Sequence, residues 1–108
     1  MNFKLLLLIF LIGSGSISLI TEQQPEILDC HYKNIKLYGK VQFVESFPDF
    51  KIKIVEDFPD LRVQIVQSFP DNCGKWQVVE EFPDFKVQIV ESFPDFKIQY
   101  VESFPGKP

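Results

Sequence analysis

Threonine occurs once in the 108 residues, and histidine, tryptophan and methionine also once each. With so little threonine, a threonine-array ice-binding solenoid is excluded. The lone His31 sits beside Cys30, and adjacent residues seldom hold one metal together. The chain has no Cys-x-x-Cys, no Gly-x-Ser-x-Gly and no glycine-rich phosphate loop. Those absences remove thiolate-metal modules, nucleophile-elbow hydrolases and nucleotide cradles. Clustered basic residues are missing too. Lys and Arg stand singly among acids, the net charge is −4 and the pI is near 4.9, which argues against a nucleic-acid partner. No cofactor is implied.

The first twenty residues form a unit of their own. Met1-Asn2-Phe3-Lys4 carries one positive charge, residues 5–12 are unbroken apolar sequence, and Gly13-Ser14-Gly15-Ser16 follows. A short basic start, an apolar stretch and a small-residue exit make a secretory signal peptide. Cleavage is expected between Ser14 and Thr21, so that a secreted or periplasmic chain with no remaining membrane segment begins between Gly15 and Glu22. Cys30 follows Asp29, far from the apolar run, so it is not a lipoprotein cysteine. Residues 21–33 read as a linker and 34–108 as one small domain. At this size a core alone is marginal.

A triplet dominates that domain. Phe47-Pro48-Asp49, Phe58-Pro59-Asp60, Phe69-Pro70-Asp71, Phe82-Pro83-Asp84 and Phe93-Pro94-Asp95 recur, and Phe104-Pro105-Gly106 closes the series. Aligned on it, the chain repeats every eleven residues, with units starting at Lys40, Lys51, Arg62, Lys75, Lys86 and Lys97. An eleven-residue period also suits a hendecad helix. A proline in every unit, at about 3 kcal/mol each in a helix interior, excludes that. Between prolines the chain is rich in Val, Ile and Phe and alternates polar with apolar, as strands do. Seven short strands are expected at 35–38, 41–45, 52–56, 63–67, 76–80, 87–91 and 98–101. Phe-Pro-Asp then reads as a corner: Phe an inward anchor, Pro fixing φ, and Asp satisfying backbone at the bend. Phe50, Leu61, Phe85 and Phe96 read as second apolar anchors. The period breaks once, at Asn72-Cys73-Gly74, where two residues are inserted.

Seven strands, the eleven-residue period, residues 41–44, the Cys-Gly-Lys-Trp loop within residues 69–76 and the closing Phe-Pro-Gly resemble the septoil-knot domain family. That family is named for a seven-crossing torus knot. The resemblance implies an all-β toroidal domain whose chain winds twice around a common centre, with no catalytic residues to carry over. Without it, the pattern alone suggests an open β-solenoid or a meander.

Cys30, before the first strand, and Cys73, in the insertion, are expected to pair, as two cysteines in a small exported domain usually do. Two kinds of chemistry remain to be weighed. Asp49, Asp60, Asp71, Asp84 and Asp95 would line one rim of a closed ring and offer oxygen ligands to Ca²⁺. Glycosidase chemistry needs two carboxyls in unlike surroundings, and repeated equivalents do not supply them. The serines at corners have no neighbouring base. Trp76 reads as core or as a lid beside the insertion. The expectation is a monomeric, non-catalytic exported module that is structural or binds a ligand or partner. The alternatives are a small secreted hydrolase using the repeated acids, or an extracellular effector or inhibitor.

Overall fold

The computed structural model describes residues 26–108, so the expected signal peptide, 1–20, lies outside the described residues. The described chain contains strands and no helix: β1 (His31–Tyr32), β2 (Ile35–Lys36), β3 (Gly39–Phe43), β4 (Phe50–Ile54), β5 (Leu61–Ile65), β6 (Lys75–Val78), β7 (Phe85–Ile89) and β8 (Phe96–Tyr100). β1 and β2 form an antiparallel hairpin. The other six close into a barrel in the order β3-β6-β5-β8-β4-β7, every pair parallel. Closure rules out the solenoid and the meander. Eight strands stand against seven expected because His31–Tyr32 adds one, and it pairs with Ile35–Lys36, the shortened form of the expected 35–38 strand, outside the barrel.

The barrel strands begin about two residues earlier than expected. The residue after four of the five corner Asp is already paired: Phe50 stands opposite Val87, Leu61 opposite Ile98, Phe85 opposite Val41 and Phe96 opposite Ile52. First and third residues of the five-residue strands therefore share the inner face, and in β6, which begins at Lys75, Trp76 takes that face. Phe50, Ile52, Leu61, Val63, Phe85, Val87, Phe96 and Ile98 are all buried. The fifth residue keeps that parity but reaches the open end of the barrel, so Ile54, Ile65, Ile89 and Tyr100 remain partly exposed.

The break in the repeat explains the path. Around the ring the chain moves two places from β3 to β4 and two more to β5. A further step of two would land on β3 again. At the insertion it moves only one place, to β6, and then resumes steps of two to β7 and β8. The second pass thus fills the gaps left by the first. Gly74 enables the short step: its φ is +85°, and a Cβ there would run into the Arg62 carbonyl.

The segment expected as a linker, 21–33, is described from residue 26 and packs as a plug at the end where strands start. Ile27, Tyr32 and Leu37 are buried, and the Tyr32 ring meets Phe96 edge-on at 5.2 Å. Trp76 is core: it is fully buried, and its Nε1 donates to the Leu37 carbonyl at 3.1 Å. The Cys30–Cys73 disulfide is present, with Cα atoms 5.8 Å apart, and fastens the plug to the insertion. It also closes 30–73, the whole first pass, into a covalent ring around which the second pass is interwoven.

Candidate functional site

The corners carry the repeated residues, and each of five corners spans one strand of the other pass. Phe43 and Phe50 both stand opposite Val87, so residues 44–49 leave one side of β7 and rejoin on its other side. Val44 N–H donates to the Val87 carbonyl and Asp49 N–H to the Lys86 carbonyl. In the same way residues 55–60 span β8, 79–84 span β3, 90–95 span β4 and 101–106 span β5. The corners of each pass lie across strands of the other.

Asp fastens the far side of the corner. Its Oδ2 accepts from the backbone N–H of the crossed strand: Asp49 from Lys86 (2.7 Å), Asp60 from Lys97 (2.9 Å), Asp84 from Lys40 (2.8 Å) and Asp95 from Lys51 (2.7 Å). The Asp N–H returns a bond to the carbonyl of that same residue. Asp was expected to satisfy its own bend, and the structure corrects this: it clamps one strand to another. Gly106 replaces the clamp in the last copy through its own backbone, exchanging both bonds with Arg62. On the near side a glutamine of the crossed strand holds the corner. Gln88 Nε2 donates to the Glu45 carbonyl, Gln99 to Glu56, Gln42 to Glu80 and Gln64 to Glu102, at 2.8–3.1 Å. Asp71 lies in the one corner that spans no strand, and its N–H turns back to the Phe69 carbonyl.

The corner phenylalanines overturn the inward-anchor expectation. Phe47, Phe58, Phe69, Phe82, Phe93 and Phe104 are 78–93% exposed, and all have φ between 55° and 57°. Phe69, whose corner spans no strand, takes the same φ as the five in corners held across one, so the left-handed conformation goes with the Phe-Pro-Asp/Gly turn itself. The following proline, which disfavours the right-handed helical region for the residue before it, removes the main competitor. A bulky residue at such a φ is an outlier. Burial passes instead to Phe50, Leu61, Phe85 and Phe96, the second anchors.

A signal for this was present in the repeat. Buried positions drift between copies: Phe50 and Phe85 correspond to Leu61, and Val41, Ile52 and Trp76 correspond to one another. Packing tolerates such exchanges. The exposed Phe is the same in all six copies. An open dent of about 480 Å³ adjoins one of them, lined by Glu56, Asp57, Phe58, Pro59, Arg62, Gln99 and Pro108.

Little here resembles a reaction centre. Four of the five Asp side chains hold backbone in like surroundings. Among the described residues no group of three or more His, Cys, Asp or Glu is arranged to hold a metal ion. Shifted ionisation falls on tyrosines. Burial first, then the Asp95 carboxylate beside it, raises the Tyr32 phenol above its ordinary range, and burial raises Tyr100.

Six parallel strands traversed in two interleaved passes, with corners of each pass laid across the other, define a doubly wound, knotted β-toroid. The family model of the 7(1) septoil knot domain matches residues 34–108, and the chain belongs to that family. No curated protein matches it.

Proposed function

We propose that the protein is a non-catalytic, exported binding module whose contact surface is the set of corner phenylalanines. One observation carries this: the same bulky aromatic, at least 78% exposed, stands at six strained corners with its side chain outside the core. Each such conformation costs on the order of 1–3 kcal/mol, and Gly or Asn would relieve it. A residue that contributes little to folding and is kept in every copy is explained by what it meets outside. Recognition surfaces favour aromatics that present large area at low entropic cost. The disulfide fits an oxidising compartment, and the apolar N-terminal run fits export. No helix among the described residues is long and apolar enough to cross a membrane.

The test uses the mature protein and a variant with Ser at all six corner Phe positions. Both are immobilised and exposed to the native extracellular fraction. Retention of one defined component by wild type, lost in the variant while its circular dichroism and melting stay native, supports the reading. Equal retention by both refutes it.

A further inference from the structure

The charges around the exposed rings say what kind of partner suits them. The six corners, 44–49, 55–60, 66–71, 79–84, 90–95 and 101–106, hold twelve of the fifteen acidic residues and no Lys or Arg. Glu45, Glu56, Glu80, Glu91 and Glu102 each stand two positions before a corner Phe and are exposed. Apart from Lys107, the basic side chains of the domain lie on the strands, at Lys40, Lys51, Arg62, Lys86 and Lys97 among others. Every exposed phenylalanine ring therefore sits in a segment that carries acid and no base. We infer that the corner phenylalanines are docking points for a cationic, Lys/Arg-rich polypeptide segment. This rests on the binding reading above and adds the sign and class of the partner.

The chemistry is specific at each corner. A guanidinium or ammonium is attracted to the face of an aromatic ring within about 6 Å of its centroid, and arginine more often than lysine makes this contact. At five corners the glutamate two residues before the ring supplies the counter-charge, whereas Phe69 has Gln67 at that position. An exposed single corner binds weakly, since surface ion pairs and exposed cation–π contacts each contribute little in water. Repetition changes the outcome. Once one corner is engaged, a flexible basic segment meets the next as an intramolecular event, and affinity rises without new kinds of contact. The same acidic setting disfavours an anionic bilayer, and it disfavours a second copy of this chain approaching corner to corner.

The experiment measures binding of an oligo-arginine peptide, an oligo-glutamate peptide and neutral phosphatidylcholine vesicles. The proteins are wild type, the six-corner Phe→Ser variant, and a three-corner variant (Phe82→Ser, Phe93→Ser, Phe104→Ser) in case the first fails to fold. The inference expects oligo-arginine to bind wild type, more weakly as salt rises. It expects that binding to fall roughly tenfold or more in the six-corner variant and by a smaller factor in the three-corner one, although their charge is unchanged. Equal binding of oligo-arginine to all three overturns it, because charge alone then suffices. Phe-dependent binding of vesicles or oligo-glutamate in place of oligo-arginine also overturns it and leaves the binding reading standing. Absence of any Phe-dependent binding removes both.

Discussion

Phe47 and Phe50 are three residues apart in Phe-Pro-Asp-Phe, yet one is 90% exposed and the other 2%. Hydrophobicity does not separate them. Backbone does. Phe50 is the first paired residue of its strand, opposite Val87, with its side chain on the inner face. Phe47 sits midway across a corner that is bonded at both ends to β7, with φ at +56° and its ring in solvent. An apolar residue is buried only if the chain direction at its position points to the core, and a clamped corner points outward.

The largest effect separates that pair directly. Phe50→Ala removes a ring packed against Tyr32, Phe85 and Phe96 at centroid distances of 5.0–6.1 Å. It is expected to cost about 3–5 kcal/mol. Phe47→Gly removes an exposed ring and relieves a positive φ, so stability should change by less than about 1 kcal/mol or rise. Paired denaturant melts check both. A loss at Phe47 comparable with that at Phe50 would refute the assignment of which ring builds the core.

The disulfide comes next and extends the comparison to the two passes. It closes the first pass, and the second is held only by its interweaving. On the chain-entropy estimate a loop spanning 43 positions stabilises by about 4 kcal/mol. Cys30→Ser with Cys73→Ser is expected to lose about 2–4 kcal/mol. Refolding adds a second readout, because an intact ring must be threaded by the chain after residue 73, whereas the reduced chain has no covalent ring to thread. Stopped-flow refolding should be slower with the disulfide intact than with the double serine variant. Equal rates would mean that threading does not limit folding.

Much of this molecule is legible in sequence, and the division follows physical lines. The period, the all-β class, the corners and the cysteine pairing are local or arithmetic, and they stand in the residues. Resemblance supplied the double winding. Hydrophobic alternation could not supply it, because pairing partners such as Val41 and Phe85 are far apart in the chain. Strand starts were misplaced because Asp49 and its equivalents look like turn residues, and only the crossed strand shows that pairing has begun by the next residue. The exposed rings were misassigned because Phe and burial are so often associated. Their φ near +56° is visible only in three dimensions, although their lack of variation among the repeats was already in view.

A smaller effect contrasts two aspartates of identical motif. Asp60 Oδ2 accepts from Lys97 N–H, whereas Asp71 lies in the corner that spans no strand. Asp60→Ala leaves that N–H without its charged acceptor and should cost about 1.5–3 kcal/mol. Asp60→Asn keeps an oxygen and should cost about 1 kcal/mol or less. Asp71→Ala should fall within about 0.5 kcal/mol, as at ordinary surface positions. Adding Ca²⁺ should not raise the melting temperature of wild type. A Ca²⁺-dependent rise that Asp60→Asn abolishes would turn the clamps into a cation site.

The smallest effect concerns the plug where it meets a corner. The Tyr32 hydroxyl donates to Asp95 Oδ1 at 3.3 Å, and its ring lies against Phe50 and Phe96. Burial and the Asp95 charge both favour the neutral phenol, so its folded pKa lies above the unfolded value near 10. A group whose pKa is raised by folding binds its proton more tightly in the native state. Its contribution is complete below about pH 10 and is lost as pH climbs from there through the folded value. Tyr32→Phe cannot titrate, and it gives up the hydroxyl bond, worth about 1 kcal/mol. Wild type should therefore exceed Tyr32→Phe in stability by a constant margin from pH 7 to 9, and the margin should narrow above about pH 10. Tyr100 titrates in both proteins and cancels from the difference. Urea melts across that range decide the matter. A margin that stays constant through the alkaline limb would show that the plug seats Tyr32 by packing alone, with no contribution from the carboxylate that clamps the neighbouring strand.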